Sequence, residues 1–318
     1  MYPTATKIRV AAIQMISRDG LIHANLARAT EFVKQAAQQG AQLALLPELL
    51  PTGYRLTQAL WEAAEPRNGP TLRWLKEHSQ RFGMWLGTSF LEAEGQDFFN
   101  TFVLTSTSGE EAIRVRKYRP AVVEAYFYTG ASGSHAVDSP LGRIGISICY
   151  ESSLCHIVRM LHAQAVDLIL MPHSAPTPTR GLFFSAKDLA NFHRSLQSRA
   201  QWLARTLGVA TVLANKAGPW KSPLPLPYPT QDSSFPGFST IVDSDGTCKA
   251  QLGDEEGVIV ADVVLDPARK VTIPPPCYGR WSHRPYWYSR LWVVIEGLGS
   301  LAYGVSLARR RRARQIGG

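Results

Sequence analysis

Three segments of the chain each end an apolar run on a side chain that can take part in chemistry. The carboxylate Glu48 ends LALLPE, the cation Lys117 follows IRVR, and the thiol Cys149 ends GRIGISIC. Side chains at strand ends are held by a rigid sheet yet face the loops where a substrate can reach them. A thiol, a carboxylate and an ammonium brought together in this way indicate nucleophilic catalysis.

Attack on the carbon of an amide or nitrile needs all three groups. A thiolate is the best nucleophile available at neutral pH, and it becomes covalently attached to the substrate. A carboxylate such as Glu48 can take the thiol proton, pass it to the leaving amine and later deprotonate water. The ammonium of Lys117 can stabilise charge on the former carbonyl oxygen. The order strand, cysteine, helix also places Cys149 near a helix N-terminus, which favours the thiolate.

The elements that must position these residues alternate between strand and helix patterns over residues 7–266, which favours a layered α/β fold. Asn25 is a plausible N-cap for the first helix, and Gly40 is placed to end it. Further helices are predicted over 72–81, 154–163 and, as one long helix, 186–207. Strands are predicted at 8–15, 43–46, 84–91, 100–105, 111–118, 142–148, 167–171, 209–214, 240–243 and 258–264.

The chain resembles the nitrilase, or carbon-nitrogen hydrolase, superfamily over about residues 7–266. The matching segments are Pro47-Glu48, Arg116-Lys117-Tyr118, 145–151 and 167–172, with support from Arg199-Ala200, 214–218 and 237–239. The resemblance implies a four-layer αββα sandwich, pairing of protomers in a homodimer or larger homo-oligomer, and the roles given above for Glu48, Lys117 and Cys149. It also implies that Glu124 is a second acid near the site.

Five other residues are predicted to contact the substrate. Tyr54 and Tyr126 come from loops, Tyr150 and Glu151 follow the nucleophile, and His173 follows a strand. The backbone N–H of Tyr150 can donate to the oxyanion, whereas Glu151 could instead cap the helix that follows it. The sequence lacks metal-ligand spacing and Gly-rich phosphate loops, so neither a metal nor a cofactor is predicted.

Composition and cysteine spacing indicate what kind of protein carries these residues. With 318 residues, 45% of them hydrophobic, the chain can bury a large core. The four cysteines show no CxxC spacing, and we interpret them as free thiols. The N-terminal segment lacks the order of a secretory signal, which predicts a cytoplasmic protein.

The net charge of +9 resides in the C-terminal tail. Residues 267–318 contain ten of the 34 basic residues but only one of the 25 acidic ones, which leaves 24 of each sign in the body. We therefore predict three parts: a catalytic domain over 1–266, a linker rich in proline and aromatic residues over 267–290, and an added apolar helix with an Arg-rich end over 291–318. Nucleic acid is not the predicted partner.

The added helix has two possible locations. Leu291–Ala308 is 18 residues long and would extend about 27 Å, close to the thickness of a bilayer core. Its polar residues share one strip, which favours an amphipathic helix lying on a membrane. We predict contact of residues 291–314 with an anionic membrane surface, at the inner face of the plasma membrane. Packing against another subunit stays open.

The residues together predict a hydrolase of non-peptide carbon–nitrogen bonds that acts on a small-molecule amide first and a nitrile second. The basic apolar tail is also similar to that of apolipoprotein N-acyltransferases, so acyl transfer to an amine is an alternative. A catalytically silent, membrane-associated scaffold is the other alternative.

Overall fold

The computed structural model describes residues 4–181 and 184–318. Residues 1–3, the start of the N-terminal segment, and 182–183 lie outside the described residues. The helices are α1 (Ile22–Gln38), α2 (Ala59–Glu62), α3 (Pro70–Phe82), α4 (Cys155–Ala163), α5 (Ala186–Gln197), α6 (Arg199–Leu207), α7 (Ser289–Val305) and α8 (Leu307–Gly317). The strands are β1 (Thr6–Gln14), β2 (Leu43–Leu45), β3 (Trp85–Glu94), β4 (Asp97–Thr105), β5 (Glu111–Arg116), β6 (Ala136–Ser139), β7 (Gly142–Ile146), β8 (Leu168–Pro172), β9 (Ala210–Ala214), β10 (Ala217–Ser222), β11 (Gln231–Pro236), β12 (Thr240–Val242), β13 (Cys248–Gln251) and β14 (Gly257–Leu265).

Two six-stranded mixed sheets form the centre of the protein. The first has the strand order β14-β1-β2-β3-β4-β5, and the second has the order β13-β12-β9-β8-β7-β6. In each sheet three adjacent strands are parallel, β1-β2-β3 and β7-β8-β9, and the flanking strands are antiparallel. The mixture of crossover units and hairpins follows the predicted pattern of strands.

The sheets pack face to face and helices cover their outer faces. Val10 and Leu43 of the first sheet share a buried cluster with Ile146 and Leu170 of the second. Helices α1 and α3 pack on the outer face of the first sheet, and α4 and α6 pack on the outer face of the second. The predicted four-layer αββα sandwich is therefore confirmed.

Two predicted helix features are wrong. Helix α1 begins at Ile22, and Asn25 lies inside it, where its side chain bonds the backbone of Arg18 and Pro51. The predicted long helix over 186–207 is two helices, because Ser198 has φ −95° and ψ 0°, outside helical values. Hydrogen bonds to a neighbouring loop, rather than helix capping, account for Asn25.

The tail folds back on the body of the same chain, a location not among those predicted. Helices α7 and α8 meet at an angle of 70°, so the predicted single helix is broken. Gly299 lies against Ala125, and a Cβ at Gly299 would approach the Ala125 Cβ to 3.0 Å. The Tyr303 hydroxyl donates to Asp97 at 3.1 Å, and Arg309 pairs with the same carboxylate. Among the described residues no single helix is long and apolar enough to cross a membrane, although α7 and α8 together pass that test of length and composition.

A disulfide joins the tail to the helix that follows the nucleophile. Cys155 and Cys277 are bonded, with their Cα atoms 5.6 Å apart. The prediction that all four cysteines are free thiols is wrong for this pair, because the chain after β14 returns alongside the start of α4. In the same returning segment, the backbone oxygen of Arg280 accepts a hydrogen bond from the backbone N–H of Cys155 at 2.8 Å. Cys149 and Cys248 are free.

Candidate active site

The structure brings Glu48 and Lys117 together in a fully buried ion pair. Glu48 follows β2 and Lys117 follows β5, and both side chains are 0% exposed. The Lys117 ammonium donates to Glu48 Oε1 at 2.7 Å and to Glu124 Oε2 at 2.8 Å. One cation is thus shared by two carboxylates. A buried charge needs such partners, since an isolated one would be very costly.

The second carboxylate, Glu124, is held by a short 3-10 turn over Val122–Tyr126. Its Oε2 also accepts from the backbone N–H of Ala121 at 2.6 Å, and its Oε1 accepts from the Tyr54 hydroxyl at 2.5 Å. Val122 has a φ of +49°, a left-handed conformation that turns the chain after Lys117 back toward the site. The residue predicted from the resemblance is therefore bonded directly to Lys117.

Two further groups fix the orientation of Glu48. Asn100 Nδ2 donates to Oε1 at 2.7 Å, and the backbone N–H of Ser174 donates to Oε2 at 2.8 Å. The Ser174 hydroxyl also donates to the Glu48 backbone oxygen at 2.6 Å. These bonds hold the carboxylate in one rotamer. A general base has to be positioned in this way before its pKa can matter.

The nucleophile candidate, Cys149, lies at the sharp turn between β7 and a 3-10 turn over Cys149–Ser153. Its φ of +50° is rare for a residue with a side chain, and strain of this kind is found most often at functional sites. The Cys149 thiol is close enough to Glu48 that the Glu48 charge raises the pKa of the thiol and the thiol lowers the pKa of the carboxylate. The thiol therefore lies beside the carboxylate predicted to deprotonate it.

The charged forms in this cluster are not equally stabilised. Burial alone would lower the pKa of Lys117, but the charges of Glu124 and Glu48 raise it well above its ordinary value. Burial raises the pKa of Glu48, and the Glu124 charge adds to this, so that Lys117 offsets the shift only in part. The ammonium is thus firmly protonated. The carboxylate has an increased proton affinity, which suits a group that accepts and returns a proton.

The surroundings of Cys149 favour the protonated thiol over the thiolate. Burial and the nearby Glu48 charge raise the pKa of Cys149 well above its ordinary value, and Lys117 opposes this only in part. The sequence predicts a thiolate favoured by a helix N-terminus, whereas the direction of this pKa shift favours the thiol. The turn after Cys149 is a five-residue 3-10 turn, and the charge that dominates there is the carboxylate of Glu48.

Cys149 opens into a cavity of about 610 Å³. Three of the five predicted substrate contacts, Tyr54, Tyr150 and His173, also line this cavity, and so does the predicted second acid Glu124. Glu48 and Lys117 are 0% exposed and lie behind Cys149 rather than in the cavity wall. An amide that enters the cavity would thus reach the Cys149 thiol first. The Lys117 ammonium and the Glu48 carboxylate lie on the opposite side of that thiol.

His173 presents an uncommitted imidazole to the cavity. It is 3% exposed, and neither ring nitrogen has a hydrogen-bond partner among the described residues. Burial, with the charges of Arg199 and Lys117, lowers the pKa of His173 to about 3. The ring is neutral at physiological pH, so it can donate from one nitrogen and accept at the other. A substrate polar group would satisfy it.

The two residues after the nucleophile differ in what they contact. The Tyr150 ring lines the cavity, and its hydroxyl donates to Glu296 of α7 at 2.7 Å. Glu151 points away from the cavity and accepts from the backbone N–H groups of Tyr118 at 2.5 Å and Ile148 at 2.7 Å. We therefore assign Glu151 to positioning the segments that carry Lys117 and Cys149, instead of the predicted contact with substrate.

Tyr126 does not line the cavity. Its hydroxyl lies 3.3 Å from that of Tyr228, and its ring lies against Gly299 of α7. Phe127 and Tyr128, the next two residues, belong to the hydrophobic core. Ten Phe, Trp and Tyr residues do line the described part of the cavity, and four of them come from the C-terminal tail.

The sequence patterns did not single out Asn100, Ser174 or Arg199 as residues of the site. Asn100 lies at the start of a predicted strand. An amide at a strand position expected to be buried is the signal that could have identified it as a site residue. Ser174 follows His173 at the end of β8, where a small polar residue can donate to a neighbouring strand end. Arg199 was noted only as part of the resemblance. Within residues 4–181 and 184–318 no group of three or more His, Cys, Asp or Glu side chains could hold a metal ion.

Comparison with known sequences gives one family and a set of amidases. A model of the family described as carbon-nitrogen hydrolase matches residues 9–272. N-carbamoylputrescine amidase of Solanum lycopersicum is 26% identical over 270 residues, which cover 81% of this chain and 87% of that protein. The omega-amidase of Xenopus tropicalis is 27% identical over 254 residues, which cover 76% of this chain and 83% of that protein.

Solved structures share the fold. A carbon-nitrogen hydrolase from Helicobacter pylori has a TM-score of 0.73 at 17% identity, covering 83% of this chain and 91% of that chain. An amidase from a Nesterenkonia species has a TM-score of 0.66 at 23% identity, covering 82% of this chain and 91% of that chain. At these identities the likeness concerns the αββα sandwich. The match to the family model ends at residue 272 and leaves most of the C-terminal tail uncovered.

Proposed function

The chain belongs to the carbon-nitrogen hydrolase family, and from this premise we propose that it hydrolyses amides first and nitriles second, through a thioester on Cys149. The observation that carries the proposal is the buried cluster of Glu48, Lys117 and Glu124 directly behind the only thiol that lines the described part of the cavity. The amidases among the relatives support an amide as the preferred bond.

The first half of the reaction forms the thioester. Cys149 Sγ attacks the amide carbon, a carbon–sulfur bond forms, and Glu48 takes the thiol proton. Lys117 Nζ and the backbone N–H of Tyr150 stabilise the negative charge on the former carbonyl oxygen. The intermediate collapses, the carbon–nitrogen bond breaks, and Glu48 returns its proton to the leaving amine. The raised pKa of Cys149 makes the base necessary for this step.

The second half releases the acid. Water attacks the thioester carbon and gives a proton to Glu48, and the carbon–sulfur bond then breaks. Cys149 leaves as a thiolate and takes the proton from Glu48, which restores the resting thiol and the carboxylate. Glu124 keeps Lys117 charged and fixed while the proton on Glu48 comes and goes. An acyl-transfer reaction would differ only in the second nucleophile, an amine in place of water.

The purified chain should release ammonia from a primary amide faster than from the matched nitrile. Incubation with amide, nitrile and carbamoyl compounds, followed by ammonia and carbon dioxide assays, measures this. Intact-mass spectrometry of quenched samples should show an acyl adduct that maps to Cys149. Transfer of the acyl group to an added amine in preference to water would support the N-acyltransferase alternative. Absence of turnover and of any adduct across the panel would support the silent scaffold.

We also propose that the outer face of α7 lies on an anionic membrane surface without crossing it. Val294, Leu298, Leu301 and Val305 are 58%, 50%, 70% and 77% exposed, and their spacing puts them on one helical face. Two exposed arginines, Arg290 at the start of α7 and Arg311 on α8, would attract anionic lipid. Contacts on the opposite face of α7, such as the hydrogen bond from the Tyr303 hydroxyl to Asp97, hold the helix against the body of the chain.

A Leu298→Glu, Leu301→Glu variant should lose most of the affinity of the full chain for vesicles. Two buried leucines contribute roughly 1.5–3 kcal/mol each, which predicts at least a tenfold weaker binding. Sedimentation with vesicles of phosphatidylcholine and phosphatidylserine measures it, with phosphatidylcholine alone as the neutral surface. A matched control replaces two exposed apolar residues elsewhere, Leu21→Glu with Ile273→Glu, and should bind as wild type. Equal sedimentation of both variants would contradict the proposal.

The predicted homo-oligomer stays a prediction. Analytical ultracentrifugation of the wild type and of the Leu298→Glu, Leu301→Glu variant would show whether the same face joins two copies. A shift from dimer to monomer in that variant would assign the face to a second subunit instead of a membrane.

A further inference from the structure

The C-terminal tail forms one wall of the cavity that contains Cys149. The six apolar or aromatic tail residues in that wall are Trp281, Tyr286, Tyr288, Leu291, Trp292 and Ile295. All of them lie beyond residue 272, the end of the match to the family. The part of the chain that the family does not share therefore contacts whatever occupies the cavity.

Residues from the body complete an apolar enclosure opposite the tail. Phe184 precedes α5, and Phe192 lies within it. Trp220 belongs to β10, and Leu224 follows that strand. Phe184 and Tyr288 approach each other with ring centroids 5.4 Å apart, so the two walls meet at that point. A cavity of about 610 Å³ has the size that buries a drug-sized ligand. A small polar amide would leave most of this apolar surface unfilled.

The tail wall is fixed in place and linked to the nucleophile. Tyr150, which adjoins Cys149, donates to Glu296 Oε1 at 2.7 Å, and Arg280 donates to Glu296 Oε2 at 2.5 Å. Glu296 is only 3% exposed, and these two partners explain why an acid occurs in an otherwise apolar helix. The rings of Tyr150 and Trp292 pack edge to face at 6.3 Å. The wall and the reactive turn thus share one network of contacts.

We propose that the substrate amide carries a bulky apolar group, aromatic or long-chain, that packs against this tail wall. The inference rests on the proposed amide hydrolysis and adds the substrate class. An apolar group that leaves water for such a wall gains affinity with each methylene, whereas a small amide gains nothing from the tail.

Specific activity should rise with the size of the acyl group. Across acetamide, butyramide, hexanamide and phenylacetamide, kcat/KM should increase by about fourfold per methylene until the cavity is filled. Trp292→Ala should lower the ratio of phenylacetamide to acetamide hydrolysis by at least about tenfold. Trp287→Ala is the matched control, because Trp287 is a tail tryptophan that is 59% exposed and does not line the cavity, and it should keep the wild-type ratio.

The outcomes separate the two proposals. A wild type that hydrolyses no amide contradicts the proposed function. A wild type that hydrolyses acetamide as well as phenylacetamide overturns the substrate class alone. Should Trp292→Ala unfold, Leu291→Ala tests the same wall with a smaller change, and an unchanged size ratio in that variant would also overturn the inference.

A second observation concerns charge in the same cavity. Arg199 lines it, with Nη2 donating to Ser195 Oγ at 2.7 Å and Nη1 lying 3.3 Å from His283 Nδ1. Within the described residues no carboxylate forms an ion pair with Arg199. Burial lowers the pKa of Arg199 to about 10, and burial and the Arg199 charge lower the pKa of His283 to about 4. Arg199 is therefore charged and His283 neutral at physiological pH.

We infer that Arg199 binds a carboxylate on the substrate, in the cavity that the uncommitted imidazole of His173 also lines. A guanidinium presents paired N–H donors that match a planar carboxylate, and a partly buried cation without a counter-ion gains most from one. Arg180 also lines the cavity but is exposed, so it adds positive potential at the surface rather than a buried donor set. This inference too rests on the proposed amide hydrolysis.

Pairs of amides that differ only in a remote carboxylate test the role of Arg199. Wild type should prefer the monoamide of an aromatic dicarboxylic acid over its methyl ester by at least about tenfold in kcat/KM, and Arg199→Met should abolish the preference. Arg194→Met is the matched control, since Arg194 is exposed on α5 and does not line this cavity. Equal hydrolysis of acid and ester by wild type, with amide hydrolysis intact, would overturn the carboxylate site alone. Calorimetric titration of the Cys149→Ala protein with the acid and the ester gives the same comparison without turnover, and equal affinities would also overturn it.

Discussion

Replacing Cys149 by Ala should reduce kcat for amide hydrolysis by at least about 10⁴-fold, to a residual rate that the rest of the site supports. Without the sulfur no thioester forms, and Glu48 can at best activate water against an intact amide. Cys149→Ser should fall nearly as far, because an alkoxide is harder to generate than a thiolate next to a carboxylate. Steady-state ammonia release and intact-mass spectrometry of quenched reactions measure the loss of turnover and of the acyl adduct.

The chain offers a matched control for the loss of the thiol. Cys248 is the other free cysteine and is exposed on β13, so Cys248→Ala should keep wild-type kcat and KM. Cys149 is only partly buried, so its replacement by Ala should leave the fold intact. Thermal unfolding of both variants checks this. Full activity in Cys149→Ala would remove Cys149 from the mechanism altogether and with it the proposed thioester.

The sequence was most informative where a chemical group ends an apolar run. Glu48, Lys117 and Cys149 could be predicted together because each follows a strand whose apolar pattern is local and long enough to recognise. Strands β1, β3 and β9 were predicted for the same reason, and their ends differ from the prediction by a few residues. β10 carries Gly218 and Pro219, and β13 is mostly exposed, so neither shows a strand pattern.

Contacts between distant segments could not be predicted from local patterns. Cys155 and Cys277 are separated by 122 residues, and nothing near either one indicates the pairing. Glu296 seemed to mark the polar strip of an amphipathic helix, yet its partners are Tyr150 and Arg280 in other parts of the fold. The tail was predicted to contact a membrane or a subunit because its apolar run has about the length of a bilayer core and an amphipathic pattern. The structure uses the inner face for the cavity and leaves the outer face exposed.

Replacing Lys117 by Met should both stop turnover and destabilise the protein. The change removes the cation shared by Glu48 and Glu124, each within 2.8 Å of Nζ, and leaves two buried carboxylates side by side. Breaking a buried ion pair from one side costs about 3–5 kcal/mol in the free energy of unfolding. We expect kcat to fall by at least about 10²-fold as well, the effect of losing one oxyanion donor. Urea unfolding and ammonia release measure the two losses.

The destabilisation should depend on pH with a defined sign. Without Lys117, burial and the nearby Glu124 charge would raise the pKa of Glu48 further above that of an unfolded Glu, about 4.3. A carboxylate whose pKa is raised in the folded state costs nothing below the unfolded pKa and destabilises increasingly as the pH rises toward the folded pKa. The loss in Lys117→Met should therefore be larger at pH 8 than at pH 5. Adding Glu124→Gln should recover part of the stability at pH 8 and little at pH 5.

Lys216 provides the matched control for removing a buried lysine. Its ammonium donates to the Leu49 backbone oxygen at 2.9 Å, and burial lowers its pKa to about 7. A lysine whose pKa is lowered in the folded state destabilises most at low pH, and the penalty disappears as the pH rises from about 7 toward the unfolded value. Lys216→Met should thus cost less at pH 5 than at pH 8.5 and should be unaffected by Glu124→Gln. Recovery by Glu124→Gln in the Lys117 variant, without recovery in the Lys216 variant, would show that the cost at Lys117 comes from the carboxylates it pairs. A Lys117→Met protein as stable as wild type at pH 8, or recovery in both variants, would contradict a shared ammonium as the basis of the site.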